Sequence, residues 1–236
     1  MNAPSAQLLA EAWVDASVRD AYPDYVAVLI AASGLGPGPT SPHSEAMLRE
    51  AEARAGDRLD GREPHDLPEV RAWREAYRAF GVRPREARSS VEALLRRVAV
   101  GLPRIDRLTD VYNAVSVLHL VPIGGEDLSA YAGPPRLVVA VGDESFDTVA
   151  DGQPTMHTAD AGEIIWRDDL GVTCRRWNWR QCLRTRLTAT TTEALFIVDG
   201  LGPASGVRAE AAAADLIDRL AVDSSAATFA ARTLAD

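Results

Sequence analysis

The stretch 175-RRWNWRQCLRTRLTATTT-192 packs two tryptophans, one asparagine, five arginines and five threonines into eighteen residues. A strand facing solvent has no use for that mixture. In an extended chain Trp177 and Trp179 share one face, and Asn178 and Arg180 the other. Thr185, Thr188, Thr190, Thr191 and Thr192 follow with hydroxyls on β-branched stems, which suit a strand and can line a polar pocket. Tryptophans usually pack in cores and arginines usually lay their stems along a surface, so a purely structural reading stands beside this one. The segment reads as the wall of a binding site.

Outward from this wall the chain divides by character. Residues 137–141, 162–167, 172–179 and 194–198 read as strands between Gly, Asp and Pro turns. Upstream, the continuous apolar run 24–35 (DYVAVLIAASGL) is a buried-strand candidate. GLGPGPTSP then breaks structure and lacks the lysine of a phosphate loop. Residues 44–58 form a charged helix and 61–68 a linker by composition. Residues 69–80 form a helix with Trp73, Tyr77 and Phe80 on one apolar side, ended by Pro84. Ser89 or Ser90 caps another helix running to about Val98. The tail 207–234 is alanine-rich, with Leu216, Ile217 and Leu220 on one helical face. Helices first and strands afterwards argue for an α+β domain with helices packed on a mostly antiparallel, sandwich-like β layer.

Between the two halves lies 107-RLTDVYNAVSVLHLVPIGGEDLSAYAG-133. Asp110, Asn113, Ser116 and His119 recur at helical spacing and read as one polar stripe, opposite Val111, Ala114, Val115 and Leu118. The turn 122–127 (PIGGED) follows, with Gly124 and Gly125 permitting positive φ or close backbone approach.

At 236 residues the chain can hold one large or two small domains with a real core. No apolar stretch spans a bilayer, and the N-terminus lacks the order of a signal peptide, so a cytoplasmic protein is expected. Cys174 and Cys182 match no zinc spacing and read as small core residues. The histidines His43, His65, His119 and His157 are scattered, so neither a metal nor a cofactor is expected. Net charge is −9, and all 25 basic residues are arginine. Residues 71–107 nevertheless carry ten arginines against four carboxylates, and 167–186 carry six against two. A basic face on an acidic protein suits weak, salt-dependent contact with RNA, although solvated helix faces would look the same.

The helix DVYNAVS from Asp110, the turn VPIGGEDL, the stretch GDESF at 142–146 and GEIIWRDDLGVTCRRWNWR at 162–180 together resemble the B3/B4 domain. That family comprises the editing module of the phenylalanyl-tRNA synthetase β subunit and free-standing proteins of about this length. The resemblance runs from Pro68 to Leu201. It implies the same α+β class and three segments: an N-terminal strand and helix extension at 1–66, an editing-like core at 67–203 and a helical tail at 204–236.

What the resemblance implies is hydrolysis, in trans, of the ester joining a wrong amino acid to tRNA. In the synthetase the matching turn carries a histidine where Gly124 or Gly125 stands here. Its editing glutamate falls near Val198 and Asp199, so only Asp199 could stand in, one place out of register. An aminoacyl ester is already activated, so a site need only hold the carbonyl and aim a water. No G-x-S-x-G elbow or paired cysteine is present. Asn113 and Asn178 are candidates to fix the water or the substrate amine, with Glu126 or Asp127 as the carboxylate. The N–H groups of Gly124 and Gly125 are candidate oxyanion donors. Trp177 and Trp179 would shape the amino-acid pocket or pack beneath it, with Ser116, His119, Thr185, Thr188 and Asp199 as further substrate contacts. Arg176, Arg180, Arg184 and Arg186 would meet the tRNA. The partners expected are tRNA and possibly an aminoacyl-tRNA synthetase, not DNA or membrane. Two other readings remain open: a non-catalytic tRNA- or synthetase-binding module, and an amino-acid-like small-molecule hydrolase or binder unconnected with RNA.

Overall fold

The computed structural model describes residues 3–150 and 152–235. In chain order the elements are α1 (Ala3–Ala10), β1 (Trp13–Val14), α2 (Ala16–Ala21), β2 (Val26–Ser33), α3 (Pro42–Leu59), α4 (Pro68–Ala79), α5 (Ser90–Leu95), α6 (Arg107–His119), β3 (Ile123–Asp127), β4 (Arg136–Val139), β5 (Ser145–Ala150), β6 (Gln153–Thr158), β7 (Ile164–Arg167), β8 (Val172–Arg175), β9 (Arg180–Gln181), β10 (Glu193–Gly200), α7 (Ser205–Val222) and β11 (Thr228–Leu234). One sheet runs β1-β4-β7-β8-β9, a second β11-β2-β10-β3, and β5 and β6 form a separate hairpin. Among the described residues only β1 and β4 pair in parallel. The fold is therefore α+β with an antiparallel core, the class read from the sequence. No helix of the described residues is long and apolar enough to cross a membrane.

The second sheet carries the centre of the core. β2 (VAVLIAAS) and β10 (EALFIVDG) are apolar on both faces because each has a strand on either side and helices above. α7 lies against both, and its buried Ala209, Ala212, Ala213, Leu216 and Leu220 recur at helical spacing, the small side chains permitting close approach. α4 starts with Pro68 at its first position and buries Val70, Trp73, Ala76 and Tyr77. Ser41 and Ser44 form a reciprocal cap at the start of α3.

One sheet is built from β2, β3, β10 and β11, which come from all three expected segments. Several expectations are corrected here. Residues 123–127, read as a turn, are strand β3. Residues 228–234, read as helix, are strand β11, paired along its whole length with β2. The strand expected over 172–179 ends at Arg175. Residues 176–179 make a turn in which Arg176 (φ 48°) and Trp177 (φ 68°) are both left-handed, so the alternation of Trp177 and Trp179 with Asn178 and Arg180 does not apply.

The polar stripe of α6 also dissolves. Each step of three residues lags a helical turn by about 60°, so three steps carry Asp110 and His119 to opposite sides. Asp110 is buried and accepts from Thr40 Oγ1 at 2.6 Å and Ile105 N at 2.9 Å. Ser116 donates to Val121 O at 2.6 Å, tying off the helix end, and His119 Nε2 lies 2.9 Å from Asp215 on α7. Of the four, Asn113 alone faces the cavity between the two sheets.

Candidate functional site

That cavity, about 240 Å³, lies between the inner faces of the two sheets and is closed by α5, α6 and the 176–179 turn. Its floor is β3 beside β10. Glu126 stands opposite Leu195 and Gly124 opposite Ile197, so Glu126, Gly124, Ile197 and Asp199 share one face. Glu126 and Asp199 are thus four ladder positions apart, about 14 Å at about 3.4 Å per residue. Between them Gly124 adds no side chain. A Cβ there would meet only the end of Gln181, at 3.1 Å.

The two carboxyl groups are almost fully buried. Burial pushes Glu126 up to about 7, against the opposing effect of the Tyr131, Thr173 and Thr185 hydroxyls. Tyr131 OH and Thr185 Oγ1 both donate to Glu126 Oε2, and Glu126 lines the cavity. Burial likewise raises Asp199 to about 6. Tyr25 OH donates to Asp199 Oδ1 at 2.6 Å, and Asn178 Nδ2 donates to Oδ2 at 3.3 Å.

Asn113 and Asn178, equivalent as sequence candidates, differ in place. Asn178 accepts from Tyr77 OH at 3.0 Å while donating to Asp199, and its carbonyl accepts from Ser90 N at 3.1 Å. Its groups are committed to the wall. Asn113 is 7% exposed, lines the cavity, and its carboxamide has no hydrogen-bond partner among the described residues. That carboxamide can therefore both donate to and accept from a group in the cavity.

Trp177 is fully buried, edge-on to Tyr22 and Tyr25 at 4.9 Å and to Trp73 at 5.2 Å. Two successive left-handed residues cost about 1–3 kcal/mol each, and this aromatic cluster is what holds them. Trp179 is half-buried, with Arg176 and Arg180 against its ring at 4.6 and 4.5 Å.

The remaining candidates fall elsewhere. Asp127 takes Ser129 N at 2.9 Å and Thr191 Oγ1 at 2.6 Å and does not line the cavity, so Glu126 is the carboxylate there. Thr188 bonds within its own turn, to Thr190 and Thr191. Thr185 lies beneath Glu126 and not at the cavity surface. Gly125 is a packing glycine: a Cβ would meet Leu187 at 2.8 Å and Tyr112 at 2.9 Å. Asp199 N donates to Pro122 O, so ladder alternation makes 124 and 197 a bonded pair and occupies the Gly124 N–H. That N–H is not an oxyanion donor.

The basic runs are largely consumed internally. Six of the ten arginines in 71–107 face carboxylates, three of them converging on fully buried Glu92 of α5. In the second run Arg176 binds Glu163 at 2.9 Å and Arg184 grips buried Asp168 at 2.8 Å. Arg180 and Arg186 stay exposed. Sequence reasoning missed Arg97, Tyr112 and Gln181 on the cavity wall and Tyr131 and Tyr25 behind it. Arg97 was visible as part of a basic run. Tyr25, 174 residues from the carboxyl it serves, left no local signal.

The chain is similar in fold to an N-terminal fragment of the phenylalanyl-tRNA synthetase β subunit from Pyrococcus horikoshii, at TM-score 0.47 and 12% identity. The match covers 92% of this chain and 49% of that one, so this chain spans about half the length of the fragment. No curated protein matches it in sequence. The model of the B3/4 domain, however, matches residues 72–231, which take in the cavity floor, both buried carboxyls and the 176–179 turn. With most of its length and its whole cavity inside that match, this chain belongs to the B3/4 domain family.

Proposed function

We propose that the protein is a trans-acting, cytoplasmic aminoacyl-tRNA deacylase that hydrolyses mischarged aminoacyl-tRNA with an aimed water. The observation that carries this reading is Glu126, a buried carboxyl facing a small cavity and raised to about 7, where it can take and return a proton near neutral pH. Membership of the B3/4 domain family supports the choice of tRNA ester as substrate.

The cavity is below the roughly 300–1,000 Å³ of drug-sized sites, which limits its occupant to about one amino acid. Water held by the Glu126 carboxylate attacks the ester carbonyl and its proton passes to Glu126. The Asn113 carboxamide donates to the carbonyl oxygen as it becomes an oxyanion. Collapse breaks the bond to the ribose oxygen, which takes the proton from Glu126, releasing amino acid and free tRNA. Asp199 closes the far end of the floor and meets whatever side chain reaches it.

A second reading, a tRNA- or synthetase-binding module without turnover, is favoured by the glycines at 124 and 125, one of which stands where the synthetase turn has histidine. A third, a small-molecule hydrolase or binder, draws on the net charge of −9. One experiment separates them: deacylation across tRNAs charged and mischarged with each amino acid, with Glu126→Gln in parallel. Rapid loss of one or two amino acids, abolished in the variant, is the expected result. A flat panel with retained tRNA binding would favour the module, and absence of both would favour the third reading.

A further inference from the structure

The cavity is acidic within and basic at its rim. Arg97, at the end of α5, and Arg180, at the start of β9, are the two cations on its lining. Both are exposed and neither has a carboxylate or hydrogen-bonded partner among the described residues, whereas most arginines of the same two runs are ion-paired. Arg180 is also pre-positioned, its guanidinium 4.5 Å from the centre of the Trp179 ring. Arg176 lies against the same ring but is tied to Glu163, so it steadies the indole without reaching outward.

This polarity selects a ligand with its positive end inside and its negative charge outside. An amino acid held as an ester has no free carboxylate. The nearest negative charge in such a substrate is the phosphodiester preceding the terminal nucleoside. We infer that Arg97 and Arg180 form a rim clamp for that phosphodiester, so that the site takes the nucleic-acid end of its substrate as well as the amino acid. This inference rests on the deacylase reading. Guanidinium forks suit phosphate oxygens, and the lack of a competing carboxylate leaves them free to bind.

The test compares aminoacyl-tRNA with the same amino acid esterified to adenosine, which lacks the phosphodiester. Arg97→Ala and Arg180→Ala should each lose about ten-fold in kcat/KM on the tRNA substrate, through KM, and much less on the adenosyl ester. The salt dependence of KM should flatten by about 0.7 in a log–log plot for each contact removed. Arg78→Ala, exposed and away from the cavity, serves as the surface-charge control. Equal losses on both substrates, or none on tRNA, would overturn the clamp. Should the wild-type protein hydrolyse neither, the deacylase reading fails, and binding of a CCA trinucleotide with an amide-linked amino acid decides the clamp separately. Binding weakened by both variants supports it. Unchanged binding, or none by the wild type, rejects it.

Discussion

Replacing Glu126 by Gln should change stability and activity in opposite senses as pH rises. The carboxyl has an ordinary value of 4.5 and is held at about 7 by burial, so between those limits the folded chain keeps a proton that the unfolded chain has lost. Stability from the neutral, hydrogen-bonded form is full below 4.5 and is lost as pH passes through about 7. At about 1.4 kcal/mol per pH unit this amounts to about 3 kcal/mol, undiminished by solvent because the group is buried. Asp199, raised to about 6, adds a similar trend at lower pH, and the difference between wild type and variant isolates Glu126. Denaturant unfolding at pH 5, 6, 7 and 8 should therefore show the wild type losing about 2.5 kcal/mol more than Glu126→Gln over that range. Deacylation requires the ionised base, so kcat/KM should climb through an apparent pKa near 7 and be lost in the variant. Parallel stability curves would refute the buried-carboxyl argument, and an unchanged pH–rate profile would refute its role as base.

Three further outcomes follow from the geometry. Asn113→Ala should cut turnover at least ten-fold while leaving the melting temperature nearly unchanged, because its carboxamide has no internal partner; Asn178→Ala should instead lose about 1–3 kcal/mol of stability by orphaning Tyr77 OH and Asp199, as calorimetry would detect. Gly125→Ala forces a methyl to within 3 Å of Leu187 and Tyr112 and should cost about 1–3 kcal/mol, whereas Gly124→Ala displaces only Gln181, folds normally, and narrows the cavity so that KM and amino-acid preference change. Trp177→Ala removes the centre of an aromatic cluster, with an expected loss of about 3–5 kcal/mol in urea unfolding; Trp179→Ala should leave the fold intact and weaken aminoacyl-tRNA binding by freeing Arg180, measurable by filter retention.

Local reading of the chain worked where a pattern is set by neighbours. The apolar run 24–35 became β2, the Trp73 and Tyr77 face became α4, and the runs at 137–141, 162–167 and 194–198 became β4, β7 and β10. It failed where a residue's conformation answers to distant atoms. PIGGED has the composition of a turn, yet β10 pairs with it and the aromatic rings of Tyr112 and Phe196 require glycine at 125. RRWNW has the composition of a strand, yet three aromatic residues from positions 22, 25 and 73 draw Trp177 inward and bend the backbone into the left-handed region.

The candidate site shows the same division. Asn113, Glu126, Trp177 and Asn178 were named from the sequence as pocket residues, Asp199 through the family resemblance and Arg180 as a tRNA contact, and all six line the one cavity described here. What each can do was settled only by tertiary contacts. Asn113 and Asn178 carry the same amide, and Tyr77, 101 residues away from Asn178, commits that one to the wall while nothing engages the other. Fifteen of the sixteen arginines in the two basic runs could not be told from Arg97 by sequence, because whether a guanidinium is spent on a carboxylate depends on which chain segments the fold brings together. Side-chain chemistry is written residue by residue, so the sequence determined the inventory of the site; burial, pairing and proton affinity arise from long-range contacts, and those belong to the tertiary structure.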